Sequence, residues 1–132
     1  MSKRSLLADH RNRPVPWRIW NIILLLVNFV APFFFIGHIE AQLTLAAFVV
    51  ASIVVVGLHR RLGWVRLLGV GHFAWFALLP WMFTRYVGGD PQGAFRLWMQ
   101  SLLVVDTLCL VIDLTDLARY AAGDREPLVP AG

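Results

Sequence analysis

The sequence has a single cysteine, Cys109, and few charged residues. One cysteine excludes an internal disulfide and a zinc site built from several thiolates. Charged residues make up 15% of the 132 residues, whereas hydrophobic residues make up 58%. A soluble domain of this size could not bury so much apolar side chain in its interior. The composition therefore predicts one membrane-embedded domain.

Catalytic and targeting motifs are also missing. The sequence contains no G-x-S-x-G, H-E-x-x-H or Walker A string, and its first apolar run is too long for a cleavable signal peptide. Gly69, Gly71 and Ala74 form a G-x-G-x-x-A string, but no strand precedes it, so it does not predict a dinucleotide site. We expect these small residues to pack against a neighbouring helix.

The apolar residues fall into four runs separated by short polar segments. At 1.5 Å per residue, each run is about 25 to 32 Å long, close to the thickness of the hydrocarbon core. Short connections favour antiparallel neighbours, so we expect an up-down-up-down bundle of four transmembrane helices. The predicted organisation is a basic arm at 1–16, a transmembrane domain at 17–120 with spans near 19–37, 41–57, 65–83 and 97–117, and a tail at 121–132.

The basic residues indicate the orientation. Ten of the twelve flank one side of the predicted bundle, and only Arg85 and Arg96 flank the other. Lysine and arginine accumulate on the cytoplasmic side, so both termini are predicted to be cytoplasmic, in a multi-pass protein of the bacterial inner membrane. The clusters follow this topology rule rather than forming one basic face with stacking aromatics, so we expect no nucleic-acid partner.

The N-terminal arm is predicted to be mobile and to lie on the bilayer surface. Basic residues near a membrane attract anionic lipid at about 1 kcal/mol each. The candidate headgroup-binding residues are Lys3, Arg4, Arg11, Arg13 and Arg18.

Polar residues inside the predicted spans form two stripes. Asp106 and Asp113 lie seven apart on one face of the fourth span, with Asp106 close to mid-bilayer. Asn28 lies at nearly the same depth on the first span, and His72 lies between the two acids in depth. Such groups either form an ion or proton path or fix helix register by hydrogen bonding, and we favour the second reading. The stripe has no visible continuation to the outer face.

His38 and Glu40, in the turn between the first two spans, are two candidate ligands for an outer metal site. Two ligands are too few, so we expect an ion pair between this turn and Arg85 or Arg96 instead. His38 and His72 lie at different depths and cannot share one haem within a chain. The sequence therefore predicts no metal site and no cofactor.

Size and the absence of a catalytic constellation favour a non-enzymatic protein that acts by association. It would be a small subunit of a larger membrane complex or a homo-oligomer, with the lipid bilayer and other membrane subunits as partners. The alternative is a small proton- or cation-coupled transporter or channel that uses Asn28, His72 and Asp106. A weaker alternative is an enzyme that modifies lipid or quinone at the inner interface with His72 and Asp113.

Overall fold

The computed structural model describes residues 6–128. The described part of the chain is all-α, with 83% of its residues helical. Its five α-helices are α1 (Leu6–Arg11), α2 (Val15–Leu25), α3 (Ile39–Leu62), α4 (Trp75–Gly89) and α5 (Gly93–Ala121). A π-helical segment at Leu26–Val30 and a 3₁₀ segment at Ala31–Phe35 continue α2, and a second 3₁₀ segment at Arg66–His72 precedes α4.

Two or three of these helices are long and apolar enough to cross a membrane, as expected for a multi-pass membrane protein. Val15–Phe35 has 21 residues and Ile39–Leu62 has 24, so each meets the length of a span. The second 3₁₀ segment and α4 make a third candidate, bent by 46° where they join. α5 has 29 residues and contains the fourth predicted span, 97–117, but it is not among these two or three candidates.

Proline and glycine set the helix boundaries. α2 begins after Pro14 and carries Pro16 in its first turn, where a missing N–H costs nothing. α3 ends at Leu62, directly before Gly63, whose φ of +74° is readily adopted only by glycine. α4 ends at Gly89, directly before Asp90, which adopts a left-handed conformation that aspartate tolerates in turns.

Both described ends of the chain lie at one end of the fold, which we call the terminal end. Asp9 of α1 pairs with His59 near the end of α3, at 2.6 Å. The backbone N–H of Leu128 donates to the carbonyl of Trp64 at 2.7 Å. The opposite, or loop, end holds the two remaining turns, because His38 stacks on Phe95 with ring centroids 4.0 Å apart. Both described chain ends therefore lie at the opposite end of the fold from these two turns.

The apolar core lies in the half of the fold nearer the loop end. α4 contributes Trp75 and Met82, and α5 contributes Met99 and Leu102, all of them at most 1% exposed. Large hydrophobic side chains on the outer surfaces of the helices remain exposed, as in Ile53, Val104 and Val111. This inverted distribution suits a bilayer, in which lipid covers the outer faces.

Candidate functional site

A cavity of about 390 Å³ opens near the terminal end of the fold. Its mouth is lined by residues of that end, among them Arg13, Trp17 and Trp64, and its deeper wall includes His72, Cys109 and Asp113. The volume falls within the range of small-ligand pockets, which is roughly 300 to 1,000 Å³. The cavity therefore connects the terminal end with polar residues deep inside the helices.

Three side chains with metal-binding or proton-binding chemistry meet on the deeper wall. The Nδ1 of His72 lies 2.7 Å from the Oδ2 of Asp113. The Sγ of Cys109 lies 3.8 Å from the same nitrogen and 3.7 Å from the same oxygen. Stacking on Trp75, with ring centroids 4.2 Å apart, fixes the plane of the imidazole. We call His72, Cys109 and Asp113 the cavity triad.

Asn28 and Asp106 form a second, fully buried pair. The Nδ2 of Asn28 donates to the Oδ1 of Asp106 at 2.7 Å and to the carbonyl of Leu24 at 3.1 Å. The sequence prediction that these two side chains face each other is confirmed. Among residues 6–128, neither the Oδ1 of Asn28 nor the Oδ2 of Asp106 has a hydrogen-bond partner. Two acceptor oxygens are thus left without a donor in the interior, which is costly.

Pro32 explains why the helix around Asn28 is irregular. In the π segment the N–H of Ala31 donates to Leu26, five residues back, so the carbonyl of Val27 would need the N–H of Pro32, which does not exist. The indole N–H of Trp98 donates to that carbonyl at 2.9 Å instead. A bond from α5 thereby satisfies the backbone of the first span next to Asn28. π-helical turns are frequent at functional sites.

Two glycines let the second 3₁₀ segment fit between α3 and α5. A Cβ on Gly71 would lie 2.6 Å from the Cγ2 of Val55 and 3.2 Å from the carbonyl oxygen of Ala51. A Cβ on Gly69 would lie 3.0 Å from the Oδ1 of Asp113. The expectation that these small residues pack against a neighbouring helix is confirmed. The 46° bend of this candidate span lies between His72 and Trp75, and α4 continues through Pro80.

The route from Asp106 to the loop end is closed by apolar side chains. Trp98, Met99 and Leu102 are the buried residues of α5 in that direction, and Leu78 and Met82 of α4 pack against them. Thr44 is also buried, but its hydroxyl donates to the carbonyl of Glu40 in its own helix. The cavity is therefore open to the terminal end and has no polar continuation through the described residues of this core.

No family model, no curated protein and no solved structure matches this chain. The assignment of the site therefore depends on its geometry. Of the four interior candidates from the sequence, the structure pairs Asn28 with Asp106 and His72 with Asp113. Sequence reasoning missed the participation of Cys109. The signal was present, because Cys109 and Asp113 lie four apart on one helix and so share a face.

The turn at the loop end forms an ion pair. The Nε of Arg85 lies 2.8 Å from the Oε1 of Glu40, and the Glu40 carboxylate is buried while Arg85 is half exposed. The predicted pairing of this turn with Arg85 is confirmed. The ring of His38 stacks on Phe95. Within residues 6–128, only the cavity triad brings three potential metal ligands together.

The N-terminal arm differs from the mobile surface segment predicted from its composition. Residues 6–11 form α1, and the buried Asp9–His59 pair holds α1 against α3. The guanidinium of Arg13 lies 5.1 Å from the Trp17 ring and 5.0 Å from the Trp64 ring. Burial lowers the pKa of Arg13, and the Asp116 carboxylate opposes that shift. Arg11 is exposed and Arg18 is partly buried, whereas Lys3 and Arg4 lie outside the described residues.

Asp116, a third acid of α5, forms an ion pair at the mouth of the cavity. The Nη1 of Arg66 lies 2.6 Å from the Oδ1 of Asp116, and its Nε lies 3.3 Å from the Oδ2 of Asp124 in the tail. This pairing leaves the cavity triad and the Asn28–Asp106 pair as the polar groups of interest in the interior.

Proposed function

We propose that the chain is a four-span protein of the bacterial inner membrane, with both termini in the cytoplasm, that transports a proton or another cation. The cation would enter from the cytoplasm through the cavity. Asp106 would be the central carboxylate, and Asn28 would orient it. Acids at this depth of a membrane are costly and usually serve ion or proton movement.

The observation that carries this proposal is the state of the Asn28–Asp106 pair. Two buried oxygen atoms of the pair lack donors among residues 6–128. A proton or a cation bound there would supply the missing interaction, so binding would gain more free energy than at a satisfied site. The cavity triad, two of whose members lie on the same helix as Asp106, would be the relay between this pair and the terminal end.

The closed route to the loop end favours a transporter over an open channel. Transport then requires a second conformation that exposes Asp106 to the other side. The break between the second 3₁₀ segment and α4 is a suitable hinge, because 3₁₀ stretches within a span often mark hinges and the two parts already differ in direction by 46°.

The same closed route also favours the association hypothesis as a second candidate. A chain that offers no polar path of its own could still act as a small subunit of a larger complex or as a homo-oligomer. Extraction in mild detergent followed by native mass measurement distinguishes the two forms of this candidate. Multiples of 14.9 kDa indicate a homo-oligomer, and unrelated larger chains indicate a complex.

Vesicles that contain the purified protein test the transport proposal. We expect wild-type protein to move protons or alkali cations down an imposed gradient. Asp106→Asn should abolish this movement, because an amide keeps the contact with Asn28 but cannot exchange a proton. The matched control is Asp90→Asn, at a side chain 83% exposed in the outer turn, which should retain full activity. An inactive wild-type protein, or an active Asp106→Asn variant, would leave association as the remaining proposal.

The sides of the membrane on which the chain ends and the turns lie can be tested with reporter fusions. Reporter fusions after Gly132 and at Gly63, directly after α3, should report the cytoplasm, and fusions at Gly88 or Gly89 should report the outside. The ten-to-two distribution of basic residues and the position of both chain ends at the terminal end support this outcome. A C-terminal fusion that reports the outside would refute the four-span arrangement.

A further inference from the structure

The cavity triad has the dimensions of a metal site. Its three donor atoms are separated by 2.7, 3.7 and 3.8 Å, and a triangle with these sides has a circumradius of about 2.0 Å. An ion slightly out of the plane of the three atoms would therefore be about 2.0 to 2.3 Å from each of them. These are the bond lengths that Zn²⁺ makes to nitrogen, oxygen and sulfur.

The chemistry of the donors selects the class of ion. A thiolate and an imidazole prefer transition metals, whereas Mg²⁺ and Ca²⁺ prefer sites made wholly of oxygen. The thiolate of Cys109 and the carboxylate of Asp113 would together balance the two charges of a divalent ion. His72 would bind as the neutral imidazole.

The structure also prepares the geometry of the three donors. Cys109 and Asp113 lie four apart on α5, and Trp75 stacks against the His72 ring. The absent side chain of Gly69 leaves room for Asp113 beside the second 3₁₀ segment, with only 3.0 Å between its Oδ1 and the position of a Cβ. Gly69 thus acts as a positioning residue for one ligand.

A fourth coordination position would face the cavity. Structural zinc sites close all four positions with protein ligands, whereas sites with three protein ligands leave one for water or an exchanging ligand. All three donors line the cavity that opens at the terminal end. An ion held here could therefore exchange with that side of the membrane.

We propose that His72, Cys109 and Asp113 bind one divalent transition-metal ion of the Zn²⁺ class, with a fourth position open to the cavity. Binding releases the thiol proton of Cys109 to solvent. It also displaces the proton in the hydrogen bond between the Nδ1 of His72 and the Oδ2 of Asp113, so the neutral imidazole moves that proton through solvent to Nε2 and coordinates through Nδ1. The metal site does not rest on the proposed function, which concerns protons and alkali cations at Asp106. Metal binding itself requires no transport.

Cobalt binding to the purified, metal-stripped full chain in detergent tests the site. Co²⁺ in a tetrahedral thiolate site shows ligand-field bands in the visible and a thiolate-to-metal charge-transfer band in the near ultraviolet. We expect both bands to saturate at one Co²⁺ per chain, to disappear on addition of Zn²⁺, and to survive an excess of Mg²⁺. Absence of the charge-transfer band in the folded wild-type chain would overturn the proposal.

Variants identify the ligands. Cys109→Ser should remove the charge-transfer band, and Asp113→Asn should weaken Co²⁺ binding by more than the roughly 10- to 100-fold loss typical of an outer-shell partner. Gly69→Ala should weaken binding by about 10-fold through the displacement of Asp113. The matched control is His10→Gln, which removes a histidine from the cavity mouth and should leave binding unchanged. Equal binding by wild type and Cys109→Ser would overturn the proposal.

A measurement without substitutions guards against variants that fail to fold. Zn²⁺ should protect Cys109 of the wild-type chain from a small thiol reagent, and Mg²⁺ should not. Equal reaction rates with and without Zn²⁺ would contradict the metal site. Cobalt bands in a protein that moves no ions would leave the metal site standing and refute transport. Transport of protons or alkali ions without cobalt bands would refute the metal site and leave the transport proposal standing.

Discussion

Replacing Gly71 with alanine is expected to lower the free energy of unfolding by about 1 to 3 kcal/mol, the usual cost of overpacking. The new methyl group would lie 2.6 Å from the Cγ2 of Val55 and 3.2 Å from the backbone oxygen of Ala51. The oxygen belongs to the backbone of α3, and valine has one strongly preferred rotamer in a helix, so neither neighbour yields easily. The second 3₁₀ segment would have to move away from α3. Reversible unfolding in mixed micelles, followed by circular dichroism, measures the change.

Gly57→Ala is the matched control. Gly57 lies within α3, the helix that Gly71 packs against, but a Cβ on Gly57 would meet nothing within 4 Å. Alanine is favoured over glycine in a helix by up to about 1 kcal/mol, so this variant should be as stable as wild type or slightly more stable. Val55→Ala combined with Gly71→Ala should recover part of the loss, because the two changes act on one contact. A Gly71→Ala variant with wild-type stability would contradict the packing described for this segment.

Helix periodicity and depth were sufficient to predict the central pair. Asn28 and Asp106 were matched because each lies about the same distance from the terminal end of its span, and the structure joins them at 2.7 Å. The Glu40–Arg85 pair was predictable for a similar reason, since both residues flank turns at one end of an antiparallel bundle. Position along a helix axis was enough for both contacts.

The cavity triad was not predictable in the same way. Depth estimates assumed a regular α-helix through residues 65–83, whereas residues 66–72 form a 3₁₀ helix bent by 46° from α4. The straight-helix estimate placed His72 between the two acids in depth, whereas the structure pairs it with Asp113. Docking of α1 was missed because it depends on one long-range contact, Asp9 with His59, which no local pattern encodes.

The irregular segments carry the polar residues of both inner pairs. The π segment contains Asn28, and the second 3₁₀ segment ends at His72. Breaks in helical geometry inside a span are tolerated where neighbouring groups satisfy the freed backbone, as Trp98 does for Val27. Their coincidence with the polar groups favours a functional role for these residues over a purely structural one.

We also expect a large difference in the labelling of Cys109 between the two faces of the membrane, because the cavity should open only to the cytoplasm. Cys109 is the single cysteine of the chain, so the wild-type protein carries its own probe. Its side chain is buried from the outer surface of the protein but lines the cavity. Arg13 and Arg66 at the mouth should favour a small anionic reagent over a cationic one. A small sulfonated methanethiosulfonate, which does not cross bilayers, meets these requirements.

Side-selective labelling of Cys109 therefore tests the central claim most directly. Mass spectrometry would compare the extent of modification in inside-out and right-side-out membrane vesicles. Full labelling of the denatured chain is the positive control, and Gly88→Cys in a Cys109→Ala background should react only from the outer face. The cavity account predicts modification of Cys109 in inside-out vesicles and none in right-side-out vesicles. Modification from the outer face, or none from either face, would contradict it.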